Sequence, residues 1–171
     1  DNNGNYIVGK IYNLDLAKDL KSGDSIISLN NKKFTNNQEQ KDILKNDKKI
    51  KVEFFKNNGY VILDDVYTEK ECDSVVNLAH KVLGSSKDLT PLMNLHRSSE
   101  IIQKFMSNKN LISFINSYFQ DTALGLQTEF FFMPPETVGF NAHQDNTYVK
   151  ASSDSFVSAW CALTDVDKDN G

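Results

Sequence analysis

Proline, cysteine, histidine and arginine are all scarce in this chain. There are only three prolines in 171 residues, and no Pro-rich or Gly/Ser-rich tract reads as a flexible linker. The two cysteines, Cys72 and Cys161, fall in a helix-like and a strand-like apolar pattern. They read as buried, unbridged thiols of a reducing compartment, and neither stands at zinc-ligand spacing. No apolar run is long enough for a membrane span and no signal-peptide pattern opens the chain, so a cytoplasmic location is expected. One arginine, Arg97, and a net charge of -4 argue against a general nucleic-acid binder, whose affinity needs clustered cations. The densest lysine cluster, Lys48, Lys49 and Lys51, reads as a solvated face. There is no internal repeat and no low-complexity tract. What is present, 39% hydrophobic and 25% charged residues, suits one or two small globular domains. The first residue is Asp1 and the first methionine Met93, and both ends read as cuts in a longer protein.

Residues 1 to about 54 read as a small module of their own. Tyr6 to Tyr12 alternates as a strand, and Leu14 to Leu20 makes a helical turn. A turn at Gly23-Asp24 leads into an apolar strand from Ser25 to Asn30. Thr35 is placed to cap a helix running to Leu44, and Lys49 to Phe54 alternates as a closing strand. This order, with Ala17, Leu20, the Gly23-Asp24 turn and Leu29-Asn30, resembles the C-terminal two-thirds of a PDZ domain. The resemblance implies a peptide partner only for a complete PDZ domain, because the strand and Gly-rich loop that capture peptides would precede Asp1. A plain α+β spacer is the alternative.

From residue 55 the pattern is helices first and strands afterwards, an α+β domain whose helices buttress a sheet. Tyr60 to Leu63 reads as a short strand. Thr68 and Glu71 form a capping box ahead of a helix with Cys72, Val75, Val76, Ala79, Val82 and Leu83 on one stripe, stopping at Gly84. His80 lies beside that stripe and reads as structural. Residues 85 to 97 read as a loop. Helices are expected over Ser99 to Met106 and Asn108 to Phe119, with Ile101, Ile102, Phe105, Leu111, Ile115, Tyr118 and Phe119 apolar. The period then drops to two, placing Leu124, Leu126, Thr128, Phe130 and Phe132 on one face. A last strand runs from Phe156 to Leu163.

Between the last two strands stands His143-Gln144-Asp145. In an extended segment residues i and i+2 point the same way, so an imidazole nitrogen and a carboxylate oxygen would reach one point. Those are two of the three ligands of a 2-His-1-carboxylate iron site. A solvated pair of turn residues is the alternative for the triplet alone.

The run Leu126 to Pro135, then His143-Gln144-Asp145-Asn146 and Tyr148, then Phe156 to Leu163, then Asp165 to Gly171, resembles the phytanoyl-CoA dioxygenase family. Phe55 to Leu63 resembles its entry segment, so the likeness extends over residues from about 54 to 171. It implies an incomplete double-stranded β-helix (a cupin-like jelly roll) over residues 55–171, following the partial PDZ-like module of residues 1–54. It implies Fe(II), 2-oxoglutarate as co-substrate, and a place for ascorbate. The substrate would be a small molecule or an acyl compound, with hydroxylation favoured because Asp145 is kept.

By that likeness His143 and Asp145 are metal ligands and Trp160 lies near 2-oxoglutarate. Gln127 faces the pocket and Asn146, with Tyr148, flanks it. Trp160 as a core anchor and Gln127 as a sheet-face residue are the plainer alternatives. Met133 stands where several relatives carry a lysine. The third metal-ligating histidine and a basic residue for 2-oxoglutarate would follow Gly171, so the chain as given is expected to be inactive. A non-catalytic PDZ-containing scaffold with a jelly-roll shell is the competing reading.

Overall fold

The computed structural model describes residues 6–8, 22, 25–29, 51–52, 55–56, 59–86, 90–134, 136–137, 143–152 and 155–167. They form a mixed helical and antiparallel-sheet structure. The strands are β1 (Tyr6–Val8), β2 (Ser25–Leu29), β3 (Tyr60–Leu63), β4 (Leu92–Met93), β5 (Glu129–Phe132) and β6 (Val157–Ala162). The helices are α1 (Glu69–Leu83), α2 (Glu100–Met106), α3 (Lys109–Phe119) and the single turn α4 (Asn146–Val149).

The strands make one six-stranded sheet in the order β3-β2-β6-β1-β5-β4. β2 runs antiparallel to β3, pairing Ser25 with Leu63, and antiparallel to β6, pairing Ile26 with Trp160. β1 lies between β6 and β5, pairing Val8 with Cys161 and Tyr6 with Phe132. The two strands that precede residue 54 are thus built into the sheet that carries β5 and β6.

Several expectations for the first segment, namely the turn of Leu14 to Leu20, the Gly23-Asp24 turn and the Thr35 to Leu44 helix, lie outside the described residues. The closing strand expected over Lys49 to Phe54 is corrected where it is described: Lys51 and Val52 are helical. Lys51 Nζ pairs with Asp64 Oδ2 at 3.4 Å while Val52 packs on the core. Val52 and Phe55 are three residues apart, so the short stretch fits a helical face as well as an alternating one.

Helix α1 begins as its capping box requires. The Thr68 N–H donates to Glu71 Oε2 at 2.8 Å, and the Glu71 N–H donates to Thr68 Oγ1 at 3.3 Å. It ends at Gly84, whose φ of 58° is left-handed and whose N–H donates to the His80 carbonyl. Cys72, Val75 and Ala79 are buried, but Val82 is 50% exposed and leaves the expected stripe. α2 and α3 start at the caps Ser99 and Asn108, and Asn108 Nδ2 also donates to the Val66 carbonyl at 2.8 Å. Ile101 is exposed where an apolar contact was expected, while Phe114, three residues after Leu111 on the same face, is buried.

Helices and sheet share one core, with Phe55, Val61 and Cys72 at its centre. Phe55 meets Phe114 and Tyr118 edge-on at centroid distances of 5.7 and 4.7 Å. Tyr67 stacks on Phe105 at 3.7 Å, and its hydroxyl donates to the Phe105 carbonyl. Burial pushes the Tyr67 hydroxyl far above its ordinary pKa. Cys72 and Cys161 are both buried and unbridged, as expected. A hydrogen bond with Cys161 holds the Cys72 thiol down at about 7, against the burial that would raise it.

β5 and the end of β6 are buried residue after residue, the signature of strands covered on both faces. The strand expected to begin at Leu124 starts only at Glu129, and without alternating burial: residues 122–128 have no regular structure, and Leu124 is 89% exposed. The stretch expected as loop from 85 to 97 contains β4, which pairs Leu92 with Phe130, and a 3-10 turn over Leu95–Arg97.

Candidate functional site

β5 ends at Phe132, and Pro134 then terminates the strand, because proline has no N–H to donate to a ladder. The chain re-enters the described structure at His143. The extended conformation expected for His143 to Asp145 is not what forms. Asp145 is in the right-handed helical region (φ -59°, ψ -34°) and opens the turn α4, with the Tyr148 N–H donating to the Asp145 carbonyl at 2.9 Å.

The cause is local polar chemistry. Asn146 Oδ1 accepts from the Ala151 N–H at 2.8 Å and Asn146 Nδ2 donates to the Ala151 carbonyl at 3.0 Å, closing the loop on itself. Asn, Asp and Thr favour such side-chain-to-backbone closures over strand ladders.

The turn nevertheless brings the two predicted ligands together. His143 Nε2 stands 3.2 Å from Asp145 Oδ1, and the two side chains are 18% and 39% exposed. The other carboxylate oxygen, Oδ2, accepts from the Ser158 hydroxyl on β6 at 2.7 Å. The His143 ring meets Tyr148 edge-on at 5.6 Å. Ser158 was not singled out from the sequence. The signal was available, because Ser158 and Trp160 are i and i+2 on one strand and share a face.

His143, Asp145 and Ser158 line a cavity of about 580 Å³ that reaches among Phe105, Leu111 and Ile115. Trp160 lines it too. The Trp160 ring is 5% exposed, and its Nε1 is buried with no hydrogen-bond partner among the described residues. A buried indole N–H without an acceptor costs free energy, so it marks a place where a ligand oxygen would be welcome. Gln127 also lines the cavity, donating to Glu129 Oε1. Asn146 does not line it, its amide being spent on Ala151. His96 is held by Thr128 Oγ1 at 3.0 Å, and His80 packs against Phe132 at 6.0 Å; neither lines the cavity.

Residues 92–171 match the family model of phytanoyl-CoA dioxygenase (PhyH). The match supports a phytanoyl-CoA dioxygenase-like, oxygenase-type family for this part of the chain. It begins at the first residue of β4 and takes in every residue of the His143–Asp145–Ser158 cluster, but it starts later than the likeness from residue 54 suggested. Neither the comparison with curated proteins nor that with solved structures found a match.

The pair is of the kind that supplies two of the ligands of a non-haem iron site. An imidazole nitrogen and a carboxylate oxygen, already converging, are ligands that non-haem Fe(II) accepts. The second carboxylate oxygen has a hydroxyl to orient it, as metal-ligating carboxylates commonly do. Among the described residues no third His, Cys, Asp or Glu joins them.

Proposed function

We propose that the protein carries the iron and 2-oxoglutarate site of a dioxygenase that hydroxylates a small-molecule or acyl substrate. The observation that supports this reading best is the 3.2 Å approach of His143 Nε2 to Asp145 Oδ1 at the edge of a largely apolar cavity. Iron with 2-oxoglutarate, when bound, would supply oxidative C–H hydroxylation by O₂, with succinate and CO₂ released.

The chain's own residues divide the remaining work. His143 through Nε2 and Asp145 through Oδ1 would hold the metal, and Ser158 would keep Asp145 turned so that only one oxygen faces it. The Trp160 N–H would donate to an oxygen of 2-oxoglutarate, and Gln127 would orient co-substrate or substrate at the same wall. Asn146 would act one step removed, by fixing the turn that presents Asp145. Phe105, Leu111 and Ile115 would exclude water and hold the apolar part of the substrate. The complete shell we infer is the double-stranded β-helix of the resembled family, here represented by an antiparallel sheet. Ascorbate would serve to keep the iron reduced. The compartment we propose is the cytoplasm, where the buried thiols Cys72 and Cys161 stay reduced.

No helix among the described residues is long and apolar enough to cross a membrane. Trp160, the single tryptophan, offers the assay. Anaerobic titration with Fe(II) and 2-oxoglutarate should change its fluorescence, and His143→Ala or Asp145→Ala should abolish the iron-dependent part. Equal iron affinity in wild type and both variants would refute the assignment.

A further inference from the structure

The segment between α3 and β5 has no regular secondary structure, yet Leu124, Gly125 and Leu126 all line the cavity. It is tied to α3 by the Ala123 N–H, which donates to Asn116 Oδ1 at 2.7 Å. A Cβ placed on Gly125 would overlap Met106 Cε and stand 3.1 Å from its Sδ; the three nearest atoms all belong to Met106. Met106 is the last residue of α2 and lines the same cavity. Its thioether is unbranched, with three rotatable bonds, and adapts to the space it is given. The leucines that flank Gly125 are 89% and 55% exposed, so the glycine between them is where the wall admits the methionine.

We propose that Met106 and Gly125 together set the size limit of the apolar molecule that the cavity accepts. The assignment rests on reading this cavity as the substrate site. With hydrogen at residue 125, the thioether lies against the wall and leaves the cavity open. A methyl group there meets Met106 first and displaces its flexible end, and the displaced side chain takes up cavity space. Removing the methionine side chain does the opposite. The ligand class follows from the lining, an organic molecule with a substantial hydrocarbon part.

The test is calorimetric titration of metal-free protein with linear primary alcohols of increasing length. Affinity should rise about fourfold per added methylene, the increment of apolar burial, until the size limit is reached. Gly125→Ala should move that limit to a shorter alcohol and Met106→Ala to a longer one. The double variant should match Met106→Ala, since nothing remains to displace. Met106→Leu, which conserves volume, should keep the wild-type limit and serves if Met106→Ala does not fold.

A common limit in all variants overturns the proposal. So does an effect of Gly125→Ala that persists beside Met106→Ala, or a wild type that binds no alcohol. Because the titration needs no iron, its failure leaves the test of His143 and Asp145 standing. Alcohol binding without iron binding would instead overturn only the proposed dioxygenase.

Discussion

Ser158 Oγ donates to Asp145 Oδ2 at 2.7 Å, while Asp145 Oδ1 faces His143 Nε2 at 3.2 Å. The carboxylate is therefore held from behind by β6 and offered from the front beside the imidazole. Without the hydroxyl, Asp145 could rotate and spend both oxygens elsewhere. Ser158→Ala should weaken Fe(II) binding by about 10- to 100-fold, the usual range for losing an orienting partner. Its effect on folding should be only about 1 kcal/mol, the net worth of one hydrogen bond. Parallel metal titration and urea unfolding separate the two effects. Unchanged metal affinity would show that Ser158 does not orient the ligand.

The capping box predicts a pH effect with a definite sign. Glu71 has its pKa lowered, first by the Thr68 backbone N–H and then by the Thr68 hydroxyl. A carboxylate lowered in the folded state contributes stability that is fully present above its unfolded pKa. That contribution is lost as pH falls through the lowered value. Thr68→Ala should cost about 1 kcal/mol at neutral pH. Glu71→Gln should be less stable than wild type at neutral pH, and the gap should close in acid. Urea midpoints at both pH values check this, and a gap independent of pH would contradict it.

The integration of β1 and β2 predicts the behaviour of a truncated chain. β6 has β2 on one side and β1 on the other, so removing residues 1–54 strips both of its neighbours. Unpaired strand groups and newly bared apolar side chains would follow. A chain of residues 55–171 should lose near-ultraviolet circular dichroism while keeping the helical far-ultraviolet signal of α1 to α3. A truncated chain that unfolds cooperatively with an unchanged midpoint would instead favour an independent N-terminal module.

What could be read from sequence follows the range of the interactions involved. α1, α2 and α3 were legible because Thr68, Ser99 and Asn108 mark their starts within a few residues. β1 and β2 were legible as strands but not in place, because their partner β6 is remote in sequence and nothing local names it. Leu124 and Leu126 alternate like a strand, but no strand among the described residues pairs with them, so the pattern stays unrealised there. The meeting of His143 with Asp145 was foreseen through strand alternation and is achieved by a turn, because the amide of Asn146 bonds Ala151 and closes the loop on itself. Ser158 was missed because its one signal, a face shared with Trp160, does not name the carboxylate on the opposite wall.

Trp160 makes the sharpest prediction, because the same change should barely touch stability yet clearly weaken binding. Its Nε1 is buried and lacks a hydrogen-bond partner among the described residues. Deleting an unsatisfied donor removes a penalty, while the smaller ring leaves some space behind. Trp160→Phe should therefore cost no more than about 1 kcal/mol, well below the 3–5 kcal/mol of a full truncation to alanine. If that N–H meets an oxygen of 2-oxoglutarate, the same change should weaken co-substrate binding about 10- to 150-fold, the worth of a hydrogen bond to a charged group. Calorimetry of 2-oxoglutarate with the iron-loaded protein measures the second effect and urea unfolding the first. A large loss of stability with unaltered binding would make Trp160 a core anchor and nothing more.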